Sequence, residues 1–433
     1  MIPEQGDRQA HHAADAVARR SYGKLVALLV ARGHDLPAAE DALADAFAAA
    51  LVDWPQHGVP NNPEAWLLTV ARRKAIDAVR REQTGTLASP QLLLLTEELL
   101  QHQDAQEIPD CRLALLFAAA HPAIEPGIRA PLMLQVVLGL EARTIASAFL
   151  TSPAAMAKRL VRAKEKLRHA GIPFAIPERE ELPARLESVL DAIYAAFSEG
   201  WGDPEGSDPV RRDLMDEALF LARIVTDLLP DEPEALGLLA LLLHVDARRL
   251  ARRDGVGDFV PLAAQDATRW NLVLMREAEA TLRHAASCGN TGRYQLEAAL
   301  QSAHATRRIA RVDNRIEALQ LYDALFALHP SPVVAINRAL AVAEVDGGEA
   351  GLSAMPDASS DRRLAEYQPY WATRAELLGR IGRVERAATA YDNAIGLAHD
   401  PAVRRYLLRR KAELLRGGDL DGEQPSAGEH RHD

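Results

Sequence analysis

Two clusters of cations at helical spacing are the residues best placed to do chemistry. The first runs from Asn61 to Arg81: Asn62-Pro63 is an N-cap followed by proline at the first helical position, and Arg72, Arg73, Lys74, Arg80 and Arg81 follow. At 100° per residue, Leu68, Ala71, Ala75, Ile76 and Val79 share one side, while Trp66, Val70, Arg73, Lys74, Arg80 and Arg81 share the other. Cations neutralise phosphates, and an indole can stack on an unpaired base. The alternative for Trp66 is packing against a neighbouring helix, with the cations solvated. The second cluster is Lys158, Arg159, Arg162, Lys164, Lys166 and Arg168, six bases against one acid, Glu165.

The second cluster has a defined frame. Thr144–Leu150 reads as a short helix and Thr151-Ser152 as a turn. Ser152 then caps a helix that opens with Pro153. Met156, Leu160, Ala163 and Leu167 fall within about 60° of one another and must face a core. Lys158 and Arg162 point the opposite way, with Arg159 and Lys166 beside them. Ala154 and Ala155 are small enough to let the helix sit deep in a major groove. The bland alternative is a surface helix whose bases favour its C-terminal dipole end.

Upstream lies an acidic segment. Asp35, Glu40, Asp41, Asp45 and Asp53 occur there without a base, and Leu43, Phe47, Ala50 and Leu51 recur at helical spacing. It reads either as a docking face for a basic partner or as a solvated face with ordinary capping by Asp35.

The bulk composition sets these helices in an all-α protein. Of 433 residues, 48% are hydrophobic but only 5% aromatic, and Ala and Leu dominate. Residues 13–82 form a first helical unit, 83–110 a linker, 111–172 a second unit containing the turn between two helices, and 184–415 a continuous helical region. The tail 417–433 is polar and Gly-containing, and is expected to be disordered. Net charge is −11; residues 1–177 hold 19 of the 50 bases and 19 of the 61 acids, so the excess acid lies entirely downstream.

The helical region repeats. Tyr322-Asp323 recurs as Tyr391-Asp392, and Leu328, Pro332 and Val334 match Leu397, Pro401 and Val403 at the same offset of 69. An offset of 100 matches Glu217-Ala218-Leu219 to Glu317-Ala318-Leu319, Leu228 to Leu328 and Pro230 to Pro330. These are close to two and three times about 34, the period of tetratricopeptide hairpins. Asp254–Trp270 reads as an inserted loop, and Leu236–Val245 as a buried helix.

No Gly-rich phosphate loop, GxSxG elbow or HExxH motif occurs, and His121, His244, His304 and His329 are scattered, so an enzyme is not expected. His11-His12 and the histidines at 430 and 432 are read as incidental. Cys111 and Cys288 lack metal-type spacing and read as small buried apolar residues, so neither metal nor cofactor is expected. No charged-then-apolar leader opens the chain and no apolar run reaches the roughly 20 residues that span a bilayer, which leads us to expect a cytoplasmic protein that does not use a membrane.

Taken in order, these residues resemble the sigma-70 superfamily, extracytoplasmic-function type. The resemblance is carried by Ala39-Glu40-Asp41-Ala42-Leu43, by Asn62-Pro63-Glu64-Ala65-Trp66-Leu67-Leu68-Thr69-Val70-Ala71-Arg72 with Ala75-Ile76-Asp77, and by Arg159-Leu160-Val161-Arg162-Ala163-Lys164-Glu165-Lys166-Leu167-Arg168. It implies that Glu40, Asp41, Asp45 and Phe47 bind the clamp helices of the largest subunit of core RNA polymerase. It implies that Asn61–Arg81 recognise and melt the minus-ten promoter element and that Ser152–Arg168 read the minus-thirty-five element. The acidic extension resembles that of a subgroup with a tetratricopeptide-like regulatory domain, whose ligand would be a protein or peptide. Arg73 and Thr144 depart from the family's usual Asn and acidic residue, so no base preference is transferred. The rival reading is a regulator that binds duplex DNA without polymerase.

Overall fold

The structure is a computed structural model and describes residues 3–31, 36–82, 111–149, 151–170, 177, 180–201, 209–359 and 362–421. Among these the chain forms nineteen α-helices, a few 3₁₀ turns and one isolated β-bridge, and no strand. The all-α expectation is met. The linker at 83–110 and the expected cap Asp35 lie outside the described residues. Two compact units are present, Met1–Trp201 with Pro209–Leu221, and Ala222–Asp433.

The first unit begins with α1 (Pro3–Ala31), α2 (Leu36–His57) and α3 (Pro63–Glu82), packed on one another. It continues with α4 (Arg112–Ala119), α5 (Pro126–Leu138), α6 (Ala142–Ala148), α7 (Pro153–His169), α8 (Leu182–Trp201) and α9 (Pro209–Leu228), whose residues up to Leu221 belong here. Helix α5 is the hub: Leu132, Met133, Leu134 and Val136 are essentially inaccessible, and α1, α4, α6, α7 and α8 all pack on it. Helix α1 meets it backbone to backbone, because a Cβ on Gly23 would lie 1.6 Å from the Val137 carbonyl oxygen. Only glycine permits that crossing.

The unit extends past the boundary expected at 173–184. Arg185 on α8 is buried, donates to the Phe117 carbonyl at 3.3 Å and pairs with Glu181 at 2.6 Å. Arg112 on α4 pairs with Glu217 on α9 and lies over the Phe220 ring. Such long-range ties are invisible to a boundary drawn from local sequence.

The second unit follows the rest of α9 with α10 (Pro233–Asp246), α11 (Leu272–Ser287), α12 (Arg293–Ala310), α13 (Arg315–Leu328), α14 (Pro332–Asp346), α15 (Gly348–Ala354), α16 (Arg362–Ala365), α17 (Gln368–Arg380), α18 (Val384–Leu397) and α19 (Pro401–Asp421). In α10 every residue from Ala235 to His244 is buried, as its apolar run requires. The sequence repeats fall at like places in the fold. Leu328 and Leu397 each end a helix, and Pro332 and Pro401 each open the next, where proline's missing N–H costs nothing. The expected insertion, 254–270, is non-helical except for 3₁₀ turns at Leu262–Ala264 and Ala267–Arg269.

Two expectations are corrected. Helix α19 runs through Gly417-Gly418 to Asp421, so residues 417–421 are helical rather than part of an irregular tail. Glycine weakens a helix interior by about 1 kcal/mol relative to alanine, which does not forbid it. Both cysteines are half-buried rather than buried. Cys288 also follows His284 by one helical turn, and with Asp231 their ligand atoms lie within 4.8 Å of one another. These groups satisfy themselves: His284 Nε2 stands 3.1 Å from the Pro230 carbonyl and 3.3 Å from Asp231, and the Cys288 thiol donates to the His284 carbonyl.

Candidate nucleic-acid and polymerase interface

Helix α7 forms as its sequence requires. Ser152 has extended backbone and its Oγ accepts from the Ala155 amide at 3.3 Å, with Pro153 in the first turn. Met156, Leu160, Ala163 and Leu167 are buried. The chain enters through α6 and a turn closed by the Thr151 amide on the Ala146 carbonyl at 2.9 Å. The opposite face is open. Ala154, Ala155, Lys158, Arg162 and Lys166 are all exposed, with Arg168 beyond them. Among the described residues none of the three cations at 158, 162 and 166 has a hydrogen-bond or ion-pair partner. Two others on the helix are engaged. Arg159 donates to the Gly127 carbonyl at 3.0 Å and lies 3.6 Å from Glu125. Lys164 turns back toward α2.

Helix α3 is capped by Asn62, whose Oδ1 accepts from the Ala65 amide at 3.1 Å. Its first turn is tied to α1 because Ser21 donates its hydroxyl to Glu64. Leu67, Leu68, Ala71 and Ala75 enter the core. Asn61, Asn62, Arg73 and Lys74 are exposed and Arg72 is half-buried; the side chains of Arg80 and Arg81 lie outside the described residues. Trp66 is half-buried and meets Trp54 edge-on, ring centroids 5.5 Å apart at 64°. Trp54 is 1% exposed and fully within the core. The indole at 66 is therefore packed on the domain with one part open.

Helix α2 buries Leu36, Ala39, Ala42, Leu43, Ala46, Ala50 and Trp54. Asp41 and Asp45 share an exposed row with Val52, which is 67% exposed, and Phe47 and Asp53 are half-buried beside it. Acids flanking exposed apolar residues suit a basic protein surface. Glu40 stands apart. Both its oxygens accept from Lys164 Nζ, at 2.9 and 2.7 Å, and both side chains are largely covered. Burial outweighs the attraction of Lys164 and holds the Glu40 carboxyl above its ordinary range. Tyr22 lies close by, its hydroxyl pushed up by burial and further by Glu40 and Asp41. Trp54 is the participant that sequence reasoning did not name, and Lys164 was counted in the basic cluster without its partner. Helical spacing could have put Trp54 on the core face, but nothing local announces that Lys164 meets Glu40, 124 residues away.

Residues 17–84, from α1 through α3, match the sigma-70 region 2 family. The chain belongs to the sigma-70 family. The sigma-70 family is one of non-enzymatic transcription factors that bind core RNA polymerase and promoter DNA in transcription initiation. Residues 185–286 of this sigma-70 member match a family of unknown function (DUF6596). An uncharacterized protein of Rhizobium meliloti (strain 1021) is 39% identical over 379 residues, covering 86% of this chain and 89% of its own length. No solved structure matches. Among the described residues no helix of the sigma-70 member is long and apolar enough to cross a membrane.

Proposed function

We propose that this chain is a sigma factor of the extracytoplasmic-function type that docks on the polymerase clamp helices through α2, engages the minus-ten element through α3, and reads the minus-thirty-five element through α7. Asp41 and Asp45 supply the exposed docking row on α2, with Phe47 half-buried on its flank. Asn61, Asn62, Arg73 and Lys74 form the open polar surface of α3. The observation that carries the reading is the face of α7: Lys158, Arg162 and Lys166 are exposed and unpaired behind two exposed alanines, on a capped helix whose other face is core. Unpaired cations in one row can exchange counterions for phosphates, and the alanines leave room for base edges. The helical region after α9 is the regulatory part, a tetratricopeptide-like stack whose repeat pairs α13–α14 and α18–α19 share helix ends and proline starts.

Reconstitution tests this. Core polymerase with the full chain is expected to start transcripts at discrete positions on a pool of genomic fragments. If no position-specific transcript forms while the chain alone shifts duplex DNA, the regulator reading replaces it.

A further inference from the structure

A cavity of about 370 Å³ opens between α10, α11 and α12 in the second unit, within the size range of small-molecule sites. Its walls are chiefly apolar: Leu272, Met275, Ala305 and Ile309. The non-helical insertion builds the layer behind them, since Trp270, 4% exposed, packs with Met275 and Ala305 in one cluster. Leu272 and Ile309, 49% and 50% exposed, stand at the mouth.

Three polar features converge there. His244 lines the cavity at 1% exposure, and neither ring nitrogen has a hydrogen-bond partner. Glu279 Oε1 is 3.5 Å from its Nε2, near enough to feel a charge but outside hydrogen-bond geometry; that oxygen already accepts from Ser302 at 2.5 Å. Buried polar groups without partners are rare because each forfeits its hydration. Burial also holds the imidazole neutral, its pKa down at about 4, with Glu279 opposing and Arg248 assisting. Arg276 and Arg283, two turns apart on one face of α11, both line the cavity. Arg276 is exposed with no hydrogen bond or ion pair, and Arg283 donates only to the Glu279 carbonyl.

We propose that this cavity binds a small organic carboxylate with an apolar body, its body against Met275, Ala305 and Ile309 and its head between Arg276 and Arg283. An anionic head is favoured because the two guanidiniums lack carboxylate partners while the one acid present is held by Ser302. A polar atom deeper in the ligand supplies the bond that His244 lacks. The site does not rest on the transcription reading, since binding is measured on the chain alone.

The test uses three probes of equal length, octanoate, 1-octanol and octylamine, titrated calorimetrically into the full chain. Octanoate is expected to saturate one site with a dissociation constant below about 1 mM, and the alcohol and amine to bind at least about tenfold more weakly. Arg276→Gln with Arg283→Gln, both surface changes, should remove that preference. Ala305→Trp, which fills the cavity, should abolish octanoate binding with helicity unchanged; if that variant fails to fold, the arginine pair decides. Absence of saturation, equal binding of the three probes, or octanoate binding that survives the arginine variant overturns the proposal.

Discussion

Lys164 Nζ donates to both carboxylate oxygens of Glu40, at 2.9 and 2.7 Å, and so ties the basic helix α7 to the acidic helix α2. The pair joins the element expected to read DNA to the one expected to hold polymerase. It does not act as a strong electrostatic clamp, because burial raises the Glu40 carboxyl in spite of Lys164. Desolvation commonly cancels the attraction in such pairs, while removal of one partner leaves an uncompensated charge.

The pH dependence follows in sign. A carboxyl whose folded pKa is raised binds its proton more tightly in the native state. Its contribution is full below the ordinary value of 4.5 and is lost as pH rises through the raised value. Lys164→Met removes the group that opposes this rise. We expect the variant to lose more stability at pH 8 than at pH 5, about 1–3 kcal/mol at the higher pH, with Glu40→Gln in the same background restoring most of it. Urea midpoints at the two pH values measure this; equal losses would show that Glu40 is not the group left behind.

Promoter use should separate from polymerase binding within α7. Lys158→Ala with Arg162→Ala removes two exposed, unpaired cations and leaves the buried face intact. Promoter-specific transcripts should disappear, the salt slope of promoter binding should shrink by up to about 1.8, and affinity for core polymerase should stay unchanged. Arg159→Ala should behave differently, because its guanidinium is spent on the Gly127 carbonyl. We expect it to cost about 0.5–1.5 kcal/mol of stability with a smaller effect on the salt slope. Loss of polymerase binding in the double variant would mean that α7 carries the other interface.

The contact between α1 and α5 rests on one missing side chain. Gly23→Ala would place a methyl 1.6 Å from the Val137 carbonyl oxygen, so the helices must part. A loss of about 1–3 kcal/mol or more is expected, read as a lower thermal midpoint. Gly396→Ala is the matched control: it lies inside α18 with open space around the new methyl, and should gain about 0.5–1 kcal/mol from helix propensity. A Gly23 variant as stable as the native chain would contradict the close crossing.

Much of this molecule is local in origin. The Ser152 and Asn62 caps, the buried row Met156, Leu160, Ala163 and Leu167, and the exposed cations opposite were all legible, because each depends on residues within about three turns of one another. So was the all-α class, which follows from Ala- and Leu-rich helical periodicity. Tertiary structure decided what depends on distant partners. It sent Lys164 to Glu40 and Arg159 to Gly127, leaving only some of the cations of α7 open. It set Trp66 against Trp54, and it carried the first unit on to Leu221 through Arg112–Glu217. Helical spacing fixes the face on which a side chain stands. Whether that face meets solvent, a carboxylate or another ring is fixed by packing between segments the sequence holds far apart.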